Sequence, residues 1–320
     1  MNIIEGNYLS KLNLRDTQKA MQIIESMLIE KINEKIDFSI VRAPIISSKK
    51  IITSSSSFEI GRSINFDSSN DNVIYNIFNN FRYWLVNALY KMDIKNNNGI
   101  GIISHFINRD SEIKNTQSLE KRVLLIEYRY DNKDNAFSKA LDIKQNLIAV
   151  IRDIEKKLKQ NFPKLKIKIP SKIITKKKEK IHNLNNIDQV LSDIGANDGI
   201  FIFENKKNLK KNKSFKNTFV ISLNSYSREI DESYEIFRIQ DRRLPSDFKL
   251  YVSDSDLVAN EYNFAKEQLG ENEIRSINIE INLDTLSMFL LEKAHILEIQ
   301  SGYMVQEIED IISNVDIEHL

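Results

Sequence analysis

The chain has 320 residues, 41% hydrophobic and 28% charged, enough for a packed interior and for one large domain or two small ones. With 46 basic and 45 acidic residues the formal charge is +1, so no global field draws the protein to nucleic acid or to an anionic membrane. The absence of cysteine excludes disulfides and thiolate metal sites, and no apolar run approaches the ~20 residues that span a bilayer, so a soluble cytoplasmic protein without membrane insertion is expected.

Residues 1–14 read as a tail or short edge element, residues 15–305 as one domain, and residues 306–320 as a tail or docking helix. From Asp16 a helix is predicted, with Ala20, Ile23, Ile24, Met27, Leu28, Lys31 and Ile32 tracing one face. Phe38 to Pro44 is β-rich and stops at a proline, which has no N–H for a central ladder. Ser47 to Ser63 holds four consecutive serines and reads as a solvated loop. Val73 to Tyr90 is predicted helical, with Ile77, Phe81, Trp84, Leu85 and Ala88 on one side.

A turn at Asn96–Gly99 precedes two predicted antiparallel strands, Gly101–Ile107 and Val123–Tyr130, joined by a polar loop. Ala136 to Gln160 is a long amphipathic helix, and Pro163 to Pro170 alternates Lys and Ile as a strand with one solvated face does. A lysine run at Lys176–Lys180, a short helix at Asp188–Ile194 and a strand at Gly199–Phe203 follow. Lys206–Lys216 is a lysine-rich loop without the interleaved aromatics of a nucleic-acid surface. Thr218–Leu223 extends the sheet, Asp231–Arg238 reads as an edge strand, and Asp241–Pro245 reads as a basic turn before a helix over Ser246–Gln268.

The most structured pattern lies at Ser276–Val305. Ile277, Ile279, Ile281 and Leu283 alternate with Asn278, Glu280, Asn282 and Asp284, the mark of a half-buried strand. The period then becomes helical, with Asp284 as the expected N-cap and Leu286, Phe289, Leu290 and Lys293 on one face. Laid without a gap, Ile277 to Val305 resembles the C-terminal signature of the ammonia-dependent asparagine synthetases (aspartate–ammonia ligases), relatives of the class II aminoacyl-tRNA synthetases. The matching positions are Ile277, Ile281, Leu286, Met288, Leu290, Leu291, His295, Ile296, Gln300 and Gly302. Packing positions match and chemical ones do not: the family's glycines are Asn278, Ile279, Glu280 and Asn282 here, and its ATP-gripping arginine is Thr285.

The resemblance implies an α+β fold, a class II aminoacyl-tRNA synthetase-like antiparallel sheet flanked by helices. It also implies a homodimer, or a protein-complex subunit, joined through the N-terminal helix and strand. It places Tyr83 where a lysine binds the substrate carboxylate, with Arg82 one step away. It places Ile126, Glu127 and Arg129 where polar groups hold aspartate and magnesium, so Arg129 is expected to pair with Glu127 or Glu280 across a vacated pocket. Arg109 falls near an ATP-binding arginine of the family, Asp231 near a magnesium carboxylate, Ser233 near a substrate serine and Arg238 near an assisting arginine. Without the resemblance, these last residues are an exposed loop arginine and an ordinary strand.

A carboxylate such as Glu280, placed about 4 Å from a phosphate, costs on the order of 4 kcal/mol per unit charge at an effective dielectric of about 20. The expectation is therefore a non-catalytic paralogue, a structural or binding subunit that needs no cofactor or metal. The alternatives are an aspartate–ammonia ligase with a rearranged site using ATP and Mg2+, and a nucleic-acid-binding paralogue acting through Lys176–Lys180 and Lys206–Lys216.

Overall fold

The computed structural model describes residues 8–48, 64–69, 73–77, 81–107, 113–131, 135–167, 169, 174–177, 199–205, 218–227, 232–245 and 273–300. The serine loop beyond Ser48, the short helix at Asp188–Ile194, the lysine-rich loop Lys206–Lys216, the helix over Ser246–Gln268 and the C-terminal segment lie outside these residues.

Helix α1 spans Leu14–Asn33 and starts where Asn13 accepts a hydrogen bond from the Asp16 amide at 2.8 Å. Its buried stripe is Thr17, Ala20, Ile24, Leu28 and Ile32, while Ile23, Met27 and Lys31, expected on the same face, flank it half-buried. Strand β1 (Phe38–Ile40) follows, then a three-stranded antiparallel sheet ordered β2 (Ile46–Ser48), β4 (Ile74–Ile77), β3 (Asn65–Asp67). The helix expected from Val73 therefore begins only at Arg82: α2 covers Arg82–Lys91, and Ile74–Ile77 is a strand. The β-branched pair Ile74 and Ile77 around Tyr75 suits a pleated ladder, and this non-local pairing overrides the helical spacing.

The main sheet has eight strands in the order β1, β5, β6, β11, β10, β9, β8, β7. It comprises β5 (Gly99–Ile107), β6 (Glu120–Arg129), β7 (Ile174–Lys177), β8 (Gly199–Asn205), β9 (Thr218–Ser227), β10 (Glu232–Pro245) and β11 (Glu273–Asn282). It is antiparallel except where β1 meets β5 and β7 meets β8. Three expectations change here. Asp231–Arg238 was to be an edge strand and Asp241–Pro245 a turn, yet β10 runs through Pro245 and is paired on both sides. Residues 163–167, expected as a strand, are irregular, although Leu165 is buried.

Helix α3 (Ala136–Asn161) buries Ala140, Ile143, Leu147, Ile151, Ile154 and Leu158. With α1 and α4 (Leu283–Leu291) it packs on one face of the sheet, against Leu124, Ile126, Tyr128, Ile277, Ile279, Ile281, Phe237 and Ile239. Gly101 makes room on that face, since a Cβ there would come within 2.9 Å of the Phe38 ring. On the other face α2 packs Phe81, Leu85 and Leu89 against Ile100, Ile102, Val123 and Leu125. Each fully buried Leu, Ile or Phe contributes about 1.5–3 kcal/mol. Every residue of α4 is buried, and its N-cap is Asn282, which accepts from the amides of Asp284 and Thr285 at 3.1 Å. Asp284, the expected cap, sits instead in the first turn, where a negative charge also favours the helix dipole.

Candidate functional site

The period of two in β6, β11 and β10 sends one set of side chains to the helix-packed core and the other set to the opposite face. Register fixes how the second set meets. Ile100, Glu127, Asn278 and Gln240 form one row across β5, β6, β11 and β10. Ile102, Leu125, Glu280 and Arg238 form the next, and Arg129 and Ser276 stand in the row on the other side. The candidate residues Glu127, Arg129, Glu280 and Arg238 thus share one sheet face. Ile126 belongs to the opposite, helix-packed face, where it lies across from Ile279.

The middle row is closed to solvent: Glu127 is 0% exposed, Asn278 1% and Gln240 5%. A buried carboxylate costs several kcal/mol unless donors replace its water. Here the Ser276 hydroxyl and the Asn278 side-chain amide both donate to Glu127, the latter at 3.1 Å. Strand β11 was expected to be half-buried; instead its polar positions Ser276 and Asn278 are covered as fully as its isoleucines.

The neighbouring row is a set of ion pairs. Lys121 pairs with Glu280 at 3.1 Å, and Arg238 grips Glu235 through two guanidinium nitrogens at 2.9–3.1 Å. These side chains are between 21% and 46% exposed, where such pairs are worth roughly 0–1 kcal/mol. Arg129 was expected to reach Glu127 or Glu280. It lies over the Tyr90 ring at 4.9 Å from the centroid and donates to the Ile94 carbonyl at 3.1 Å, held on α2 and the turn after it.

Thr285 is 5% exposed, in the first turn of α4. Beside it, Asp284 accepts from the Arg122 backbone amide at 2.8 Å and from Gln300 at 2.7 Å. Burial holds the Asp284 carboxyl above its ordinary range despite those two donors. Gln300 also reaches the Glu120 carbonyl at 2.8 Å and receives the Ser118 hydroxyl at 2.6 Å, tying the start of β6 to α4. Arg82 and Tyr83 open α2, and Ser233 pairs with Tyr226 in the β9–β10 ladder. Arg109 and Asp231 lie outside the described residues. Among the described residues no three His, Asp or Glu side chains converge to hold a metal.

A second polar cluster was not foreseen. The Glu298 carboxylate, 0% exposed, accepts from both sides: from Lys293 at 3.2 Å, from the Tyr8 hydroxyl at 3.0 Å, and from the amides of Ala294 and His295 at 3.0 and 3.2 Å. Lys293 also donates to Ser10 at 2.6 Å and to the Leu12 carbonyl at 3.1 Å. Burial and the neighbouring Glu298 push the Tyr8 phenol far above its ordinary range, so it remains a donor. Lys11 pairs with Glu292, whose left-handed backbone (φ 54°) is a non-glycine C-cap for α4. The only sequence signal for this clasp was a lysine continuing the apolar stripe of α4, a place where an unpaired charge would not survive.

A family model described as aspartate-ammonia ligase matches residues 15–190. No curated protein matches the sequence. Among solved structures, the asparaginyl-tRNA synthetase of Entamoeba histolytica aligns at 13% identity with a TM-score of 0.58, covering 89% of this chain and 67% of that one. That of Pyrococcus horikoshii, complexed with asparaginyl-adenylate, aligns at 9% identity with a TM-score of 0.58, covering 90% and 68%. At these identities the likeness establishes the fold, the expected class II synthetase-like sheet flanked by helices. In the described residues no helix is long and apolar enough to cross a membrane.

Proposed function

The chain belongs to the aspartate–ammonia ligase family, and we propose that it is a non-catalytic member, serving as a structural or binding subunit on a retained scaffold. One observation carries this reading: beside the apolar patch covered by α2, the polar positions of that sheet face are taken up by its own side chains. Glu127, Ser276 and Asn278 bond to one another with at most 1% exposure, and the next row is occupied by the Lys121–Glu280 and Arg238–Glu235 pairs. A triphosphate laid along β11 would meet Glu280 directly and would have to draw Lys121 and Arg238 away from their carboxylates. Thr285, buried at the start of α4, offers no charge in compensation. These residues do not fit ATP with Mg2+. Removing a single electrostatic stabiliser of a charged transition state typically costs 10²–10³ in rate.

The expected outcome is no binding heat when Mg-ATP is titrated into the protein to millimolar concentration, and no AMP from ATP with aspartate and ammonia. Formation of AMP dependent on both co-substrates would replace this reading with that of a ligase whose cations have been rearranged.

The scaffold role is proposed to include self-association through the N-terminal helix and strand. Nine large apolar side chains are exposed among the described residues, and six fall on β1, on the three-stranded sheet or just before one of its strands: Ile40, Ile45, Ile46, Phe66, Val73 and Ile74, with Ile46 and Phe66 on one face of that sheet and Ile74 on the other. Strand β1 is also an end of the main sheet, with its β5 partner on one side. Exposed apolar side chains on and after an open edge strand are the features by which an interaction surface is recognised. Light scattering should give roughly twice the 37.3 kDa chain mass, and I45D/I46D should return a folded monomer. A wild-type monomer at micromolar concentration would rule out this part of the proposal.

A further inference from the structure

We draw no further inference here: the strongest candidate, the groove bounded by Leu9, Lys11 and Asn13 before α1 and by Phe162 and Lys164 after α3, carries nothing because nothing in the structure shows what covers it.

Discussion

Replacing Glu298 by glutamine should destabilise the fold by about 3–5 kcal/mol, the usual result of stranding one partner of a buried ion pair. Glutamine keeps the carbonyl oxygen that can accept from Tyr8 and from the amides of Ala294 and His295, but removes the negative charge that faces the Lys293 ammonium at 3.2 Å, on a side chain 3% exposed. Against a total stability of about 5–15 kcal/mol the loss would lower the urea midpoint steeply. K293M should cost a similar amount, because the Glu298 charge would then be buried facing only neutral donors. The double variant K293M/E298Q removes both charges and keeps the acceptor, so it should recover most of the stability. The coupling between the two positions then separates charge stranding from lost packing. A loss below about 1 kcal/mol in E298Q would contradict the buried clasp.

Acid should act on the same turn through His295. Burial holds its imidazole down to about 4, against 6.5 for an exposed histidine, while its Nδ1 accepts from the Leu297 amide at 3.3 Å. The folded state thus keeps this ring neutral while the unfolded chain protonates it. Stability from this group is complete above pH 6.5, is lost progressively as pH falls toward about 4, and is flat below that. At 1.36 kcal/mol per pH unit the interval is worth about 3 kcal/mol. The Asp284 carboxyl works in the opposite sense. Its folded value is raised by burial, so its ionisation opposes folding at neutral pH, and that cost is relieved as pH falls. The measurement is therefore a difference. Asparagine at 295 can still cap Leu297 but does not titrate, so between pH 7 and pH 4.5 the wild type should lose more stability than H295N. Parallel curves for the two proteins would show that His295 is not buried as neutral imidazole.

Much of the fold was legible because its signals were local and repeated. The α1 stripe, the long α3 face and the alternation in β11 each depend on spacing alone, and each reappears in the structure. Errors arose where a partner distant in sequence decided the outcome. Ile74–Ile77 has a spacing that suits a helix, and pairing with β2 and β3 makes it a strand. Asp241–Pro245 has turn-like composition, and the ladder with β11 keeps it extended. At the candidate site the family resemblance implied which positions differ from the family's glycines and cations, and register brings Glu127, Arg129, Glu280 and Arg238 to one face. The sequence could not identify their partners. Lys121 lies one strand from Glu280, and Ser276 reaches Glu127 from across the ladder; neither relation leaves a mark in the spacing of a single strand.

The Tyr8–Glu298 contact joins residues 290 positions apart, and this bears on how the protein is made. At 5–20 residues per second, roughly 15–60 s of synthesis separate the emergence of the two side chains from the ribosome. During that interval the segment before α1 lacks this fastening. Closing so long a loop, compared with one of about 20 residues, adds roughly 2 kcal/mol of chain entropy. This clasp on the N-terminal end therefore cannot close until the turn that follows α4 has been translated.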